Sequence, residues 1–197
     1  MDPRQAESTS HLAARLQVGD LVFIRIPALP FRKVAEATCS WTNHVGIVLD
    51  VGGRQPTIGE SRFPFSGATP LSRFVARSEE RRVAVARLQD PLDSRQRSRI
   101  AAAARRRSGV LYDTGFDLHS RRQFCSRYVR EVLMEATGTA VGDVESFFSL
   151  LARNPDADLR FWRLWYFGRI PWSRQTVTPA SLLASPRLRT VFDGTVG

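Results

Sequence analysis

The chain has 197 residues, 43% of them hydrophobic and 24% charged, a balance that suffices for one buried core and does not require disorder. Its 29 basic against 19 acidic side chains leave a net charge of +10, but the excess is nearly all arginine, with Lys33 the only lysine, and it is scattered along the chain. Scattered charge favours anionic surroundings without making the clustered, aromatic-interleaved footprint of a nucleic-acid reader, so no specific nucleic-acid partner is expected.

Residues 1–15 carry Asp2, Arg4, Glu7 and His11 and no apolar run, so they read as neither a secretory signal nor a membrane-spanning helix. Residues 1–16 are expected as a flexible leader of a cytoplasmic protein. Residues 17–197 are expected as a single domain with an aromatic-rich C-terminal extension over 140–197. The β-rich run over 20–26 predicts a buried strand, preceded by turn-prone Gly19 and stopped by Pro27 and Pro30. A short helix is expected over 31–37 and a second strand over 45–51. Gly52, Gly53, Arg54 and Gln55 then form a hairpin turn into a third strand over 57–61.

Alternating apolar and basic residues predict a further strand over 83–88. The segment 93–107, acidic at its start and basic at its end, predicts a helix that suits its own dipole. After a short stretch at 110–112, the segment 125–136 places Tyr128, Val129, Val132, Leu133 and Ala136 on one helical face and ends at Gly138. Another helix is expected over 144–151. Phe161, Trp162, Trp165, Tyr166, Phe167 and Trp172 make an aromatic patch that either covers the core or lines a cleft. Short connections between strands favour an antiparallel sheet, and with the helices they give an α+β fold.

Three residues carry candidate chemistry. Cys125 stands at the expected start of a helix, where unpaired amides and the dipole favour a thiolate and can hold an oxyanion. His44 stands where the second strand begins, and an imidazole there can take and return the thiol proton. Glu60 lies across the hairpin from His44, and a carboxylate there can fix the imidazole tautomer. Taken singly, each also fits a plainer role: a buried structural cysteine, a histidine at a sheet margin, a solvated glutamate. Cys39 is on the wrong side of any helix start, and both thiols are expected to be free. His11 and His119 lack partners at metal-ligand spacing and no glycine-rich phosphate loop follows a strand, so neither a metal nor a nucleotide cofactor is expected.

The order of the pieces is more specific than any one of them. Gly19-Asp20-Leu21-Val22-Phe23, Asn43-His44-Val45-Gly46-Ile47-Val48, Gly59-Glu60-Ser61, Leu111-Tyr112-Asp113 and Phe124-Cys125-Ser126 resemble the circularly permuted papain-like hydrolases related to NlpC. The branch is the YiiX/YebB-like one, with the likeness closest to its YebB side. The resemblance continues through Pro70-Leu71-Ser72-Arg73-Phe74, Ile170-Pro171-Trp172 and the residues 176–182, and so covers 17–188.

It implies a circularly permuted papain-like (NlpC-type) α+β fold, in which the histidine strand precedes the cysteine helix. The activity it implies is a cysteine hydrolase that cleaves a peptide-like amide or an ester through a thioacyl enzyme, without a cofactor. Carried over by motif, Cys125 is the nucleophile, His44 the base and Glu60 the orienting acid. Tyr112 matches the family's tyrosine ahead of the cysteine helix and is implied to contact substrate or the oxyanion. The family often has an acid two positions after the cysteine. This chain has Arg127, which leaves open any substrate preference carried there.

The expected substrate is a small peptide, an amide or an acyl lipid. Two alternatives stand beside hydrolysis. In one, the thioacyl group passes to an amine or hydroxyl, as in the lipid acyltransferases that resemble this fold, with the 162–172 patch cradling the acyl chain. In the other, the fold is a non-catalytic module that binds RNA or an acidic protein through the arginines of 95–107.

Overall fold

A computed structural model describes residues 5–197. Strand β1 (Gln5–Glu7) and helix α1 (Thr9–Arg15) precede β2 (Leu21–Ile24), α2 (Leu29–Ala37), β3 (His44–Asp50), β4 (Thr57–Glu60) and β5 (Gly67–Pro70). Helix α3 (Leu71–Val75), β6 (Arg82–Leu88), α4 (Ser94–Arg106) and α5 (Cys125–Thr137) follow. The C-terminal part adds β7 (Glu145–Ser146), α6 (Phe147–Ala152), α7 (Leu159–Trp165), β8 (Gln175–Thr176), α8 (Pro179–Leu183) and β9 (Leu188–Val196). Seven strands form one sheet in the order β1-β9-β6-β2-β3-β4-β5, and β7 pairs with β8 apart from it. All the pairs are antiparallel except β1 with β9.

Strand β2 is buried at every position because apolar layers lie on both sides of the sheet. Leu21 and Phe23 enter a core shared with α4 and α5, and Val22 and Ile24 enter a second core shared with α1 and α3. This is the period-two alternation of a strand, with both of its faces apolar. Two glycines let the layers approach closely. A Cβ on Gly59 would lie 2.7 Å from the Tyr128 hydroxyl of α5, and one on Gly46 would lie 2.9 Å from the Phe74 ring of α3 on the other side.

Helix boundaries follow local chemistry. Asp93 caps α4 by accepting from the Gln96 amide at 2.7 Å, while the Gln96 side chain accepts from the Asp93 amide at 3.0 Å. Gly138 ends α5 at φ +77, and the five residues assigned to its buried face, Tyr128, Val129, Val132, Leu133 and Ala136, are all buried. Pro30, expected to help end β2, instead occupies the first turn of α2, where its missing N–H has no helical partner to lose.

Several expectations are corrected. Residues 9–15, assigned to a flexible leader, form α1, because Leu12 and Leu16 dock into the second core. One turn's worth of apolar residues is too little to create a periodic signal. The part of the leader at residues 1–4 lies outside the described residues. The helix expected over 144–151 begins only at Phe147, since Glu145 and Ser146 pair with β8.

Strand β9 was not anticipated, yet it pairs with β6 along seven positions and also carries β1. Phe192 of β9 is 2% exposed and lies in the second core opposite Val85. Phe192→Ala should therefore destabilise the protein by about 3–5 kcal/mol in urea unfolding. A loss under about 1 kcal/mol, the range of ordinary surface changes, would show that β9 does not pack as described.

Candidate active site

His44 opens β3 and is positioned by the residues just before it. The Asn43 side chain accepts from the Ile26 amide at 2.8 Å and donates to the Ile26 carbonyl at 3.0 Å, while the Thr42 hydroxyl donates to the Ile24 carbonyl at 2.8 Å. These bonds lock the start of β3 to the end of β2. The imidazole lies 6.2 Å from the Phe31 ring and 5.7 Å from the Phe74 ring, centroid to centroid.

Cys125 is the first residue of α5. Its N-cap, Phe124, has no side chain that can cap the helix, so the first-turn amides are open. Two bonds hold this helix start in place. The Ser61 hydroxyl, next to Glu60, donates at 2.8 Å to the carbonyl of Gln123, and the Ser126 hydroxyl donates at 2.7 Å to the Val177 carbonyl.

The three side chains meet. His44 Nε2 lies 2.6 Å from Glu60 Oε2, with both side chains fully buried. Glu60 also accepts from the Thr69 hydroxyl at 2.6 Å and from Arg77 Nη2 at 2.8 and 2.9 Å. Burial raises the Glu60 pKa, but His44, Arg77 and Thr69 outweigh it and hold the carboxyl down at about 2. An ionised carboxylate only accepts, so Nε2 carries the proton. His44 Nδ1 makes no hydrogen bond, which leaves it as the ring nitrogen free to exchange a proton with the neighbouring Cys125 thiol.

Burial pulls His44 down, but the neighbouring Cys125 and Glu60 more than reverse this and raise the imidazole to about 9. Burial likewise pushes the Cys125 thiol up, and the His44 charge with the Val45 and Ser126 amides brings it below the ordinary thiol range. Thiolate and imidazolium are thus each other's cause.

Cys125 and Tyr112 line one narrow pocket with Phe31, Phe116, Leu151 and Trp162, with a cavity volume of about 30 Å³. The walls are almost wholly apolar and Cys125 itself is only 3% exposed. The Tyr112 hydroxyl is buried without a nitrogen or oxygen partner, and its nearest polar neighbours include Cys125. The aromatic patch divides: Trp162 is buried in a third apolar cluster and lines the pocket, Phe161, Trp165 and Tyr166 pack against that cluster with Val34 and Phe116, and Phe167 and Trp172 are exposed.

A model of the permuted papain-like amidase enzymes, YaeF/YiiX, C92 family, matches residues 15–192. The chain belongs to this family. It is accordingly a cysteine-hydrolase type enzyme with the circularly permuted papain-like fold. The uncharacterized protein YiiX of Escherichia coli K12 is 27% identical over 175 residues, 89% of this chain and 85% of that protein. The crystal structure of YiiX from Escherichia coli O157:H7, described as a metalloprotein, is likewise 27% identical and matches with a TM-score of 0.83, covering 91% of this chain and 98% of that one. Among the described residues here, no three His, Cys, Asp or Glu side chains could share a metal ion.

Other sequence candidates lie elsewhere. His119 bonds Gln175 at 3.0 Å, His11 faces Glu7 at 2.8 Å, and Cys39 is exposed just past the end of α2. In the arginine-rich helix and its cap, Arg106 and Arg107 pair with Glu135, and Arg107 also with Glu131. Arg127 donates to Glu131 at 2.6 Å and to the Ser120 carbonyl at 2.6 Å, which ties down the loop leading into α5. Sequence reasoning missed Arg77 and Thr69. Thr69 lies two residues along β5 from Gly67, the partner of Glu60, a register that only the folded sheet reveals.

The ion pair fixes a pH signature. It exists from the lowered thiol pKa up to His44's value of about 9. In a Cys39→Ala background, iodoacetamide should alkylate Cys125 at a rate sustained well below the ordinary thiol pKa of about 8.5, with a second inflection near pH 9 as the imidazolium neutralises. A single limb at the ordinary thiol value would mean that the two groups do not form a pair.

Proposed function

We propose that this enzyme hydrolyses an amide whose acyl side is apolar, with Cys125 as nucleophile, His44 as acid and base, and Glu60 as the orienting carboxylate. The thiolate attacks the carbonyl carbon, and the oxyanion that forms is met by first-turn amides of α5 and the Tyr112 hydroxyl. Imidazolium Nδ1 gives its proton to the departing nitrogen, the C–N bond breaks, and a thioester remains. Neutral Nδ1 then takes a proton from water, whose oxygen attacks the thioester and releases the acid and the thiolate. Glu60 stays ionised throughout and holds Nε2–H.

One observation carries the substrate class: Cys125 is part of the lining of an apolar pocket with no charged residue in its wall, so an apolar acyl group can lie against the sulfur. Acyl transfer to an amine or hydroxyl is the second reading. It is favoured by the burial of the sulfur, because a thioester shielded from water survives until another acceptor arrives.

Acyl p-nitroanilides of increasing chain length test both readings. Each added methylene should raise kcat/KM about fourfold until the pocket is full, the value of one buried CH₂. Trp162→Ala should flatten that rise and Cys125→Ala should abolish turnover. His44→Ala should lower kcat by about 10²–10⁴-fold, and Glu60→Gln by less, because packing still holds the ring. A flat chain-length profile would put the acyl group elsewhere, and equal losses at His44 and Glu60 would reject the assigned roles. Adding an amine acceptor and weighing free acid against new amide separates hydrolysis from transfer.

A further inference from the structure

The lobe over the pocket has a second, outward face. Leu164 of α7 is 80% exposed and Phe167, just beyond it, is 98% exposed; Phe148 and Trp172 are exposed nearby and joined by a Phe148 N–H to Trp172 carbonyl bond of 2.9 Å. Single exposed apolar residues are ordinary. Phe167 is not, because of its backbone. After Tyr166 caps α7, the Gly168 amide donates to the Arg163 carbonyl at 2.7 Å and the Phe167 amide to the Leu164 carbonyl at 3.1 Å.

That is the helix-ending motif whose left-handed position usually belongs to glycine, and here Phe167 occupies it at φ +51. The side chain strains the backbone and gains no burial within the chain. Burial for this side chain would have to come from outside the chain.

The charges around it say from where. Arg160, Arg163 and Arg169 are exposed and have no ion-pair partner among the described residues, whereas the neighbouring Asp158 is engaged by Lys33 at 3.0 Å. Leu164, Phe167 and Arg169, with Pro171 and Arg174, line one open groove. A second copy of this chain, related by a twofold axis, would bring these arginines against themselves.

We propose that this face docks on an anionic lipid bilayer, with Leu164 and Phe167 entering the acyl boundary and Arg160, Arg163 and Arg169 meeting the phosphates. It goes beyond the reading of the Cys125 site and does not depend on it. Among the described residues no helix is long and apolar enough to cross a membrane, so the contact is peripheral.

Sedimentation with phosphatidylcholine vesicles, with and without phosphatidylglycerol, tests it. The protein should pellet with the anionic vesicles far more than with the neutral ones. Changing Arg160, Arg163 and Arg169 together to Gln should weaken that binding roughly a hundredfold, from the typical contribution of a basic residue at an anionic surface. Leu164→Ser with Phe167→Ser should weaken it at least about tenfold.

Phe167→Gly supplies the control for folding: it should raise the melting temperature by relieving the backbone while vesicle binding falls. Cys125→Ala should bind vesicles like the parent, which separates this test from the catalytic one. No binding to anionic vesicles at low salt, or full binding by all these variants, would overturn the proposal. So would a dimer in sedimentation velocity that the Leu164 and Phe167 changes abolish, because the face would then serve self-association.

Discussion

A charged carboxylate with no exposed surface sets the terms for the rest of this centre. Burying an ionised group costs several kcal/mol unless donors surround it. Glu60 on β4 meets three: His44 from β3, Thr69 from β5 and Arg77 from just beyond α3. Satisfying the charge therefore ties together the edge of the sheet at which the site lies. Because the carboxylate can only accept, it also decides which imidazole nitrogen keeps its proton and which faces the sulfur. Arg77 extends this order outward, with its guanidinium 4.9 Å from the Phe74 ring and that ring 5.7 Å from His44.

Burial acts on this centre in two opposite directions, and the magnitudes decide which prevails. Removing water disfavours each charge alone, raising the Cys125 thiol and lowering His44. The same removal strengthens the attraction between them, since the Coulomb energy of a pair scales inversely with the effective dielectric. For His44 the net result is upward, so Cys125 and Glu60 together outweigh the penalty of burial. The apolar walls of the pocket are thus also what makes the ion pair depend on its geometry. An enclosure of this kind gains nothing from a misaligned partner.

What could be read from the sequence follows from how local its cause is. The starts of β3 and α5 were legible from the apolar runs they open, as the end of α5 was from the capping glycine at 138 and the start of α4 from the acid at 93, all of them short-range signals. His44 and Cys125 stand at those starts, and Glu60 ends the strand after a recognisable turn. Arg77 and Thr69 were not legible, because their value depends on which carboxylate the folded chain brings to them. The sequence of β9 mixes Arg189, Thr190, Asp193 and Gly194 with its apolar residues, and its pattern of burial is irregular, so neither period stands out. Helix α1 was hidden for the converse reason: Leu12 alone is fully buried within it, and its stability comes from docking.

The same distinction between local and assembled order explains how a permuted chain can keep such a centre. None of the bonds that aim its side chains needs a particular connection between elements. Asn43 aligns β3 by bonding across to Ile26, Ser61 fixes the end of β4 to Gln123 before α5, and Ser126 fixes α5 to Val177 near β8. Each is a lateral tie between segments that remain neighbours in space whichever of them comes first. Moving the histidine strand ahead of the cysteine helix changes loop lengths, whose entropic cost grows only slowly with length. It leaves the ties untouched. The geometry of such a site is therefore a property of the ends of strands and helices, and the order of the chain is free to vary around it.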